Sequence, residues 1–446
     1  MTFTAARGAA RHPALATLPT ASAPVAAVRG LAVEKFAWAV FVFALAADGV
    51  KFQVAGLTML PEHLGLLFLV LVALTKLRIG RAVPLGLGAA IGWGAGLLAA
   101  WWAISFAISM LSAIQPAQSI RLLTWILANI IAAGAVCLLR TPVASLIRVG
   151  LATATVVAVV DLIGWALSSK AGVLSLFTEQ DYASGGFRLQ GLGAEPNVMA
   201  AYFVLWLCIA YAGSHHVPAG LVWVFTALAG VAVYLTYTRI SWLLFAFVAL
   251  ALALKRLRGS RFFLTFLVLA LAIGVGLVAY VLSLADAPSG GSGAAALLAR
   301  LNSLQNLDSG TGALRLSTAA VAVQDLDWHR QWLTGFGYNA YPQLHDTGVT
   351  SYATPYLALL WLALFYDSGF VGAVPFLLGF LLLWFGTRRV GSAWFFVAFA
   401  LISTTTNIIW FAFPWALGAL LVRLAGEQRA APPASPTPPP ALVRRQ

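Results

Sequence analysis

Three arginines, Arg188, Arg239 and Arg315, stand in a chain that otherwise avoids charge: of 446 residues, 61% are hydrophobic and only 9% charged. A guanidinium is planar, always charged, and offers paired N–H donors that match carboxylate or phosphate oxygens two at a time. Several of them in a poorly hydrated groove could hold a diphosphate and neutralise charge developing on it. The plain alternative is that each snorkels to lipid headgroups. Candidate proton acceptors are fewer. Glu195 directly precedes Pro196-Asn197, where a carboxylate can serve as a general base or cap a helix. His345 and Asp346 are adjacent and form a second candidate pair, with solvated loop residues as the alternative. Asp161 lies inside an apolar run, where a carboxylate is either functional or paired with an arginine from another span. Asp367 reads as a cap for the helix that follows it. Cys137 and Cys208 fall in apolar runs, and His12, His63, His215, His216 and His329 are scattered, so no metal, cofactor or disulfide framework is expected.

The elements that must position these residues are membrane helices. Apolar runs recur from Phe36 to Val422, long enough to cross a hydrocarbon core of roughly 30 Å. They are continuous rather than alternating, so the expected fold is an all-α, polytopic transmembrane bundle and not a barrel. We place about twelve spans at 36–51, 62–77, 84–112, 119–139, 143–168, 196–213, 219–237, 240–254, 262–285, 369–387, 391–406 and 407–424. Leu221 to Leu254 would be far too long as one helix, so a turn is predicted near Thr238-Arg239. Residues 1–34 read as a disordered cytoplasmic tail, 35–285 as spans one to nine, 286–368 as a large periplasmic loop with short helices, 369–424 as spans ten to twelve, and 425–446 as a Pro-rich cytoplasmic tail. The net charge of +13 would suggest nucleic acid in a soluble protein, but the positive-inside rule explains it better and no nucleic-acid partner is expected. With the N-terminus inside, nineteen basic residues face the cytoplasm and eight the outer side, the bias that rule requires. Keeping that parity makes Tyr352 to Tyr366 a surface or re-entrant helix anchored by Tyr352, Tyr356, Trp361 and Tyr366.

Four short patterns then share the outer side. They are Arg188-Leu189-Gln190-Gly191 followed by Glu195-Pro196-Asn197, the turn Thr236-Tyr237-Thr238-Arg239, Arg315 ahead of Gly335-Phe336-Gly337, and Asp367-Ser368-Gly369-Phe370-Val371-Gly372. Their order and spacing resemble the O-antigen ligase and O-antigen polymerase family of bacterial membrane glycosyltransferases. Ligases of that family usually carry a histidine eleven positions before the first glycine of the last pattern. Here Ala358 stands there, which tilts the expectation towards a polymerase.

The resemblance implies an enzyme of the bacterial inner membrane with its active site facing the periplasm. The donor would be an undecaprenyl-diphosphate-linked glycan, and the acceptor another glycan, lipid A-core or a different hydroxyl. Arg188, Arg239 and Arg315 would bind the diphosphate, and Glu195, His345 or Asp346 would take the acceptor's proton. A transporter or flippase is the alternative of a different class, but no internal repeat of the kind common in transporters is visible.

Overall fold

The computed structural model describes residues 25–54, 57–76, 88–171, 175–180, 187–258, 310–345 and 356–430. Both expected tails, apart from a few residues, together with the span at 262–285, Asp346 and Tyr352, lie outside the described residues. Thirteen described helices follow one another: α1 (Val25–Ala46), α2 (Pro61–Lys76), α3 (Ala89–Ser112), α4 (Pro116–Leu138), α5 (Val143–Ala171), α6 (Pro196–Ala212), α7 (Ala219–Leu235), α8 (Arg239–Leu257), α9 (Gly310–Trp328), α10 (Ala340–His345), α11 (Leu360–Thr387), α12 (Ala393–Ile402) and α13 (Ala412–Ala430). Two short antiparallel hairpins accompany them, β1 (Phe52–Val54) with β2 (Leu57–Met59) and β3 (Thr178–Gln180) with β4 (Phe187–Leu189).

Apart from the two short hairpins the described secondary structure is helical, as expected of an all-α membrane protein, but among the described residues about twelve full spans are not found. Among the described residues, five helical segments are long and apolar enough to cross a membrane: α3, α4, residues 143–168 of α5, α8, and residues 360–390. The apolar parts of α2, α6, α7 and α12 have only 10–17 residues. At about 1.5 Å per residue, seventeen residues rise roughly 25 Å, short of the hydrocarbon core. Hydropathy windows run past helix ends because the turns, too, are apolar.

A helix without charged side chains lies at the centre. α6 has no ionisable side chain except Cys208, Tyr202 and Tyr211, and nearly every residue from Val198 to Ala210 is buried, on all faces. An all-round apolar helix has no face to offer to water and belongs inside. α5, α7, α8, α12 and α13 pack around it, while α11 lies along α3 and α13 along α4. Small residues allow the closest approaches. Gly94 of α3 meets Gly379 of α11, where a Cβ on Gly94 would stand 2.9 Å from the Gly379 carbonyl oxygen. An apolar cavity of about 330 Å³ lies between α3, α4, α11, α12 and α13.

The two ends of the bundle differ in chemistry. At one end Glu34 accepts the N–H groups of Arg140 and Thr141 at 2.8 and 2.7 Å. There Arg423 donates to the carbonyls of Val136 and Thr141 at 3.1 and 2.8 Å, and Lys255 to that of Tyr211 at 2.9 Å. The opposite end carries the β3–β4 hairpin, the start of α6 and the α7–α8 turn. That turn falls where the length argument requires it, with α7 ending at Leu235 and α8 opening at Arg239.

The expected loop 286–368 needs redrawing. Its described part holds the nineteen-residue α9 and the short α10, and its last residues already belong to α11. α11 is broken at Gly369 (φ 55°, ψ −166°), and Trp361 from before the break meets Phe380 from after it edge to face, ring centroids 6.0 Å apart. The chain therefore doubles back at Gly369, so residues 360–368 fold against the helix that follows instead of extending it.

Candidate functional site

The site forms where the N-terminus of the central helix meets the hairpin and the turn. In β3–β4, Glu179 lies opposite Arg188, and their side chains pair at 3.9 Å. Arg188 is only 17% exposed against 43% for Glu179, so the guanidinium looks inward. Its Nε–H donates to the carbonyl of Thr236 at 3.0 Å and its Nη2 to Oδ1 of Asn197 at 3.3 Å. The Thr238 hydroxyl donates to the same Asn197 oxygen at 2.9 Å. One arginine thus ties the hairpin, the α6 start and the α7–α8 turn together. The turn is tight: Tyr237 takes a left-handed φ of 56°, and the Thr238 N–H donates to the Thr236 hydroxyl at 3.3 Å.

Glu195 sits at the N-cap position of α6 but makes no capping hydrogen bond with its side chain. Its carboxylate instead accepts the Tyr356 hydroxyl and lies in the field of Arg315 and Arg188. Burial raises its pKa above the usual glutamate value, and Glu179 adds to the rise, while Arg315, Tyr356 and Arg188 oppose it. Arg315 is brought in from α9. Burial lowers its pKa, with Tyr356 and Glu195 acting to raise it and Arg188 to lower it further. Tyr356, pushed up to about 12 by burial and by Glu195, remains a hydrogen-bond donor. Two guanidinium groups, a carboxylate and a phenol from distant stretches of chain therefore face one another.

Other expected residues fall differently. Arg239 is half-buried as the first residue of α8 and is tied to the cluster through its chain neighbour Thr238. His345 belongs to a second group: its Nε2 lies 2.7 Å from Oδ2 of Asp325 on α9, the oxygen that also accepts the Tyr366 hydroxyl at 2.8 Å. Tyr341 packs against the imidazole, ring centroids 4.5 Å apart and planes tilted by 38°. With the hydrogen on Nε2 held by the carboxylate, Nδ1 is left as the basic nitrogen. Asp367 does not cap its own helix. It lies inside α11 before the Gly369 break and accepts the backbone N–H groups of Asn339 and Ala340 at the start of α10. Asp161 has no arginine partner among the described residues; it accepts the Leu192 N–H at 2.9 Å.

The chain matches no protein-family model and no curated protein. The residues that sequence reasoning left without a role are Glu179, Asn197, Thr236, Thr238 and Asp325, while Tyr356 and Tyr366, expected as interfacial anchors, instead hydrogen-bond Glu195 and Asp325. Asn197 and the two threonines were within recognised patterns. Glu179 and Asp325 carry no signal of their own, because each gains its partner only through folding.

Proposed function

We propose that this chain is a membrane glycosyltransferase of the O-antigen ligase and polymerase kind, with the long segment before α11 on the periplasmic side. The observation that carries the reading is the convergence of Arg188, Arg315 and Glu195 at the end of the bundle away from Arg140, Arg423 and Lys255. In this reading the arginines grip the diphosphate of an undecaprenyl-diphosphate-linked glycan. Glu195 takes the proton of an acceptor hydroxyl as its oxygen bonds to the anomeric carbon. The bond from that carbon to the phosphate oxygen breaks, and the lipid diphosphate leaves as an anion held by Arg188 and Arg315. Burial suits both roles, since a poorly hydrated site strengthens the ionic grip and lifts Glu195 towards the pH at which a base is most useful.

A second assignment of the base has its own observation. The Asp325 carboxylate orients His345 as a base is oriented in many hydroxyl-activating sites, so His345 is the alternative on the acceptor side. Ala358 at the ligase histidine position favours polymerisation, with another lipid-linked glycan as acceptor; transfer to lipid A-core or a protein hydroxyl is the alternative. Reconstitution of the full chain in vesicles with lipid-linked oligosaccharide tests the reading. Release of polyprenyl diphosphate with lengthened glycan is expected. Movement of intact donor across the bilayer without its consumption would make the protein a transporter instead.

A further inference from the structure

The loop that carries Glu195 is gripped by two acids that the proposed reaction does not use. Asp48 lies just beyond the end of α1, and Asp161 lies within α5; they are 3% and 0% exposed. Oδ1 of Asp161 accepts the Leu192 N–H at 2.9 Å, and Oδ1 of Asp48 accepts the Ala194 N–H at 2.9 Å. The Gly49 N–H donates to the Leu192 carbonyl at 3.0 Å. The loop has no room to sit elsewhere. Gly191 takes a φ of +66°, and a Cβ there would stand 2.6 Å from the Asp161 carboxyl; a Cβ on Gly49 would stand 2.3 Å from the Gly193 oxygen.

We infer that Asp48 and Asp161 are positioning residues whose Oδ1 atoms pin the backbone of residues 191–194 and so fix where Arg188 and Glu195 stand. This rests on the proposed glycosyltransferase site only for its effect on rate; the pinning itself does not depend on it. The pinning needs an acceptor oxygen rather than a charge. Oδ2 of each aspartate is buried with no hydrogen-bond partner among the described residues, an arrangement that suits a neutral side chain far better than an anion. The charged groups facing Asp48 are acids: Glu195 across the loop, and Glu62, itself buried with an unpartnered Oε2, from α2. Burial, with Glu195 adding to it and the Ala194 N–H opposing it, raises the Asp48 pKa to about 7.

Asparagine keeps Oδ1 and removes the charge, so it separates the two requirements. In the full-length protein in nanodiscs, Asp48→Ala and Asp161→Ala are expected to speed backbone hydrogen exchange in residues 191–194 by about tenfold, the consequence of one lost hydrogen bond. Asp48→Asn and Asp161→Asn are expected to leave that exchange within roughly threefold of wild type. In the transfer assay the alanine variants should lose about 100-fold in kcat with KM for the lipid-linked donor changed by less than about threefold, and the asparagine variants should stay near wild type. Unchanged exchange in the alanine variants overturns the inference, as does exchange in the asparagine variants as fast as in alanine. Should the alanine variants fail to fold, Gly49→Ala takes their place, since it pushes on the Gly193 oxygen with both acids intact; unaltered exchange there would likewise overturn it. If exchange responds as expected but the wild-type protein transfers no glycan, the pinning stands and the proposed reaction falls.

Discussion

At the residue scale the site is a contest between burial and charge, and burial has not been allowed to win. Arg188 and Arg315 are both pulled below the usual arginine pKa by burial, yet an arginine starts so high that each stays charged. What burial does instead is strip water from the two cations, which strengthens their hold on an anion. Arg188→Ala and Arg315→Ala are each expected to lower kcat/KM for the lipid-linked donor by at least about 100-fold, the loss of a charge-assisted, two-point contact. Arg188→Lys should recover little, because an ammonium cannot serve Thr236 and Asn197 and still offer a fork. Steady-state kinetics on reconstituted protein reads both. For Glu195 the shift is upward, so the rising limb of the pH–rate profile should lie above that of an ordinary glutamate, and Glu195→Gln should abolish the limb together with most of the rate. Asp48 supplies a separate stability test. A carboxyl whose folded pKa is raised from 3.8 to about 7 favours the folded state fully below about pH 4, and that advantage drains away as pH rises through 7. Thermal unfolding in detergent should therefore lose stability over that window, and Asp48→Asn should flatten the loss. Much of this was legible from sequence, because a lone arginine in an apolar chain needs a reason. Glu179, Asp325 and the bond from Tyr356 to Glu195 were not legible, since each partner is set only by the fold: Glu179 meets Arg188 across a hairpin, and Asp325 and Tyr356 meet theirs across separate elements.

At the element scale, hydropathy located helices well and judged their lengths poorly. The runs predicted at 196–213 and 219–237 are helices of seventeen residues each, because apolar turns blur their ends. The α7–α8 turn was deducible from length alone. The break in α11 was half deducible: a surface or re-entrant helix was expected before Gly369, but nothing in the sequence said that the chain doubles back there as one packed unit with α12. The break depends on one glycine. Gly369 holds a φ of 55°, and a Cβ on it would stand 2.2 Å from the Leu333 carbonyl oxygen, while Phe336 and Gly337 donate their N–H groups to Tyr366 and Asp367 beside it. Gly369→Ala is thus expected to destabilise the protein by about 2–4 kcal/mol, combining a forced backbone conformation with displaced contacts. Gly96, whose Cβ would meet open space, is the matched control, and Gly96→Ala should be neutral or slightly stabilising. Thermal unfolding of the two variants side by side decides whether the hairpin at Gly369 is a strained keystone or a tolerant bend.

At the scale of the whole molecule, the proposed glycosyl transfer requires that the end bearing Arg188 and Glu195 face the compartment where the donor glycan is presented. The distribution of basic residues, nineteen against eight, argues that this end lies outside, and the bundle separates the ends cleanly enough to ask the question directly. Trp328, 86% exposed at the end of α9, reports the site end. His215, exposed in the α6–α7 connection beside the Arg256 contacts to Ser214 and Val217, reports the other. In a background with Cys137 and Cys208 replaced by alanine, Trp328→Cys should react with a membrane-impermeant maleimide in intact spheroplasts, and His215→Cys only after permeabilisation. The reverse pattern would turn the site towards the cytoplasm, where the same arginines would meet a donor still being assembled, and the polymerase and ligase assignments would fail together. The control is internal, since both cysteines sit in one chain whose central helix α6 runs from the site end to the His215 end, so the two labels cannot both be accessible from one side without breaking the fold that brings Arg188, Arg315 and Glu195 together.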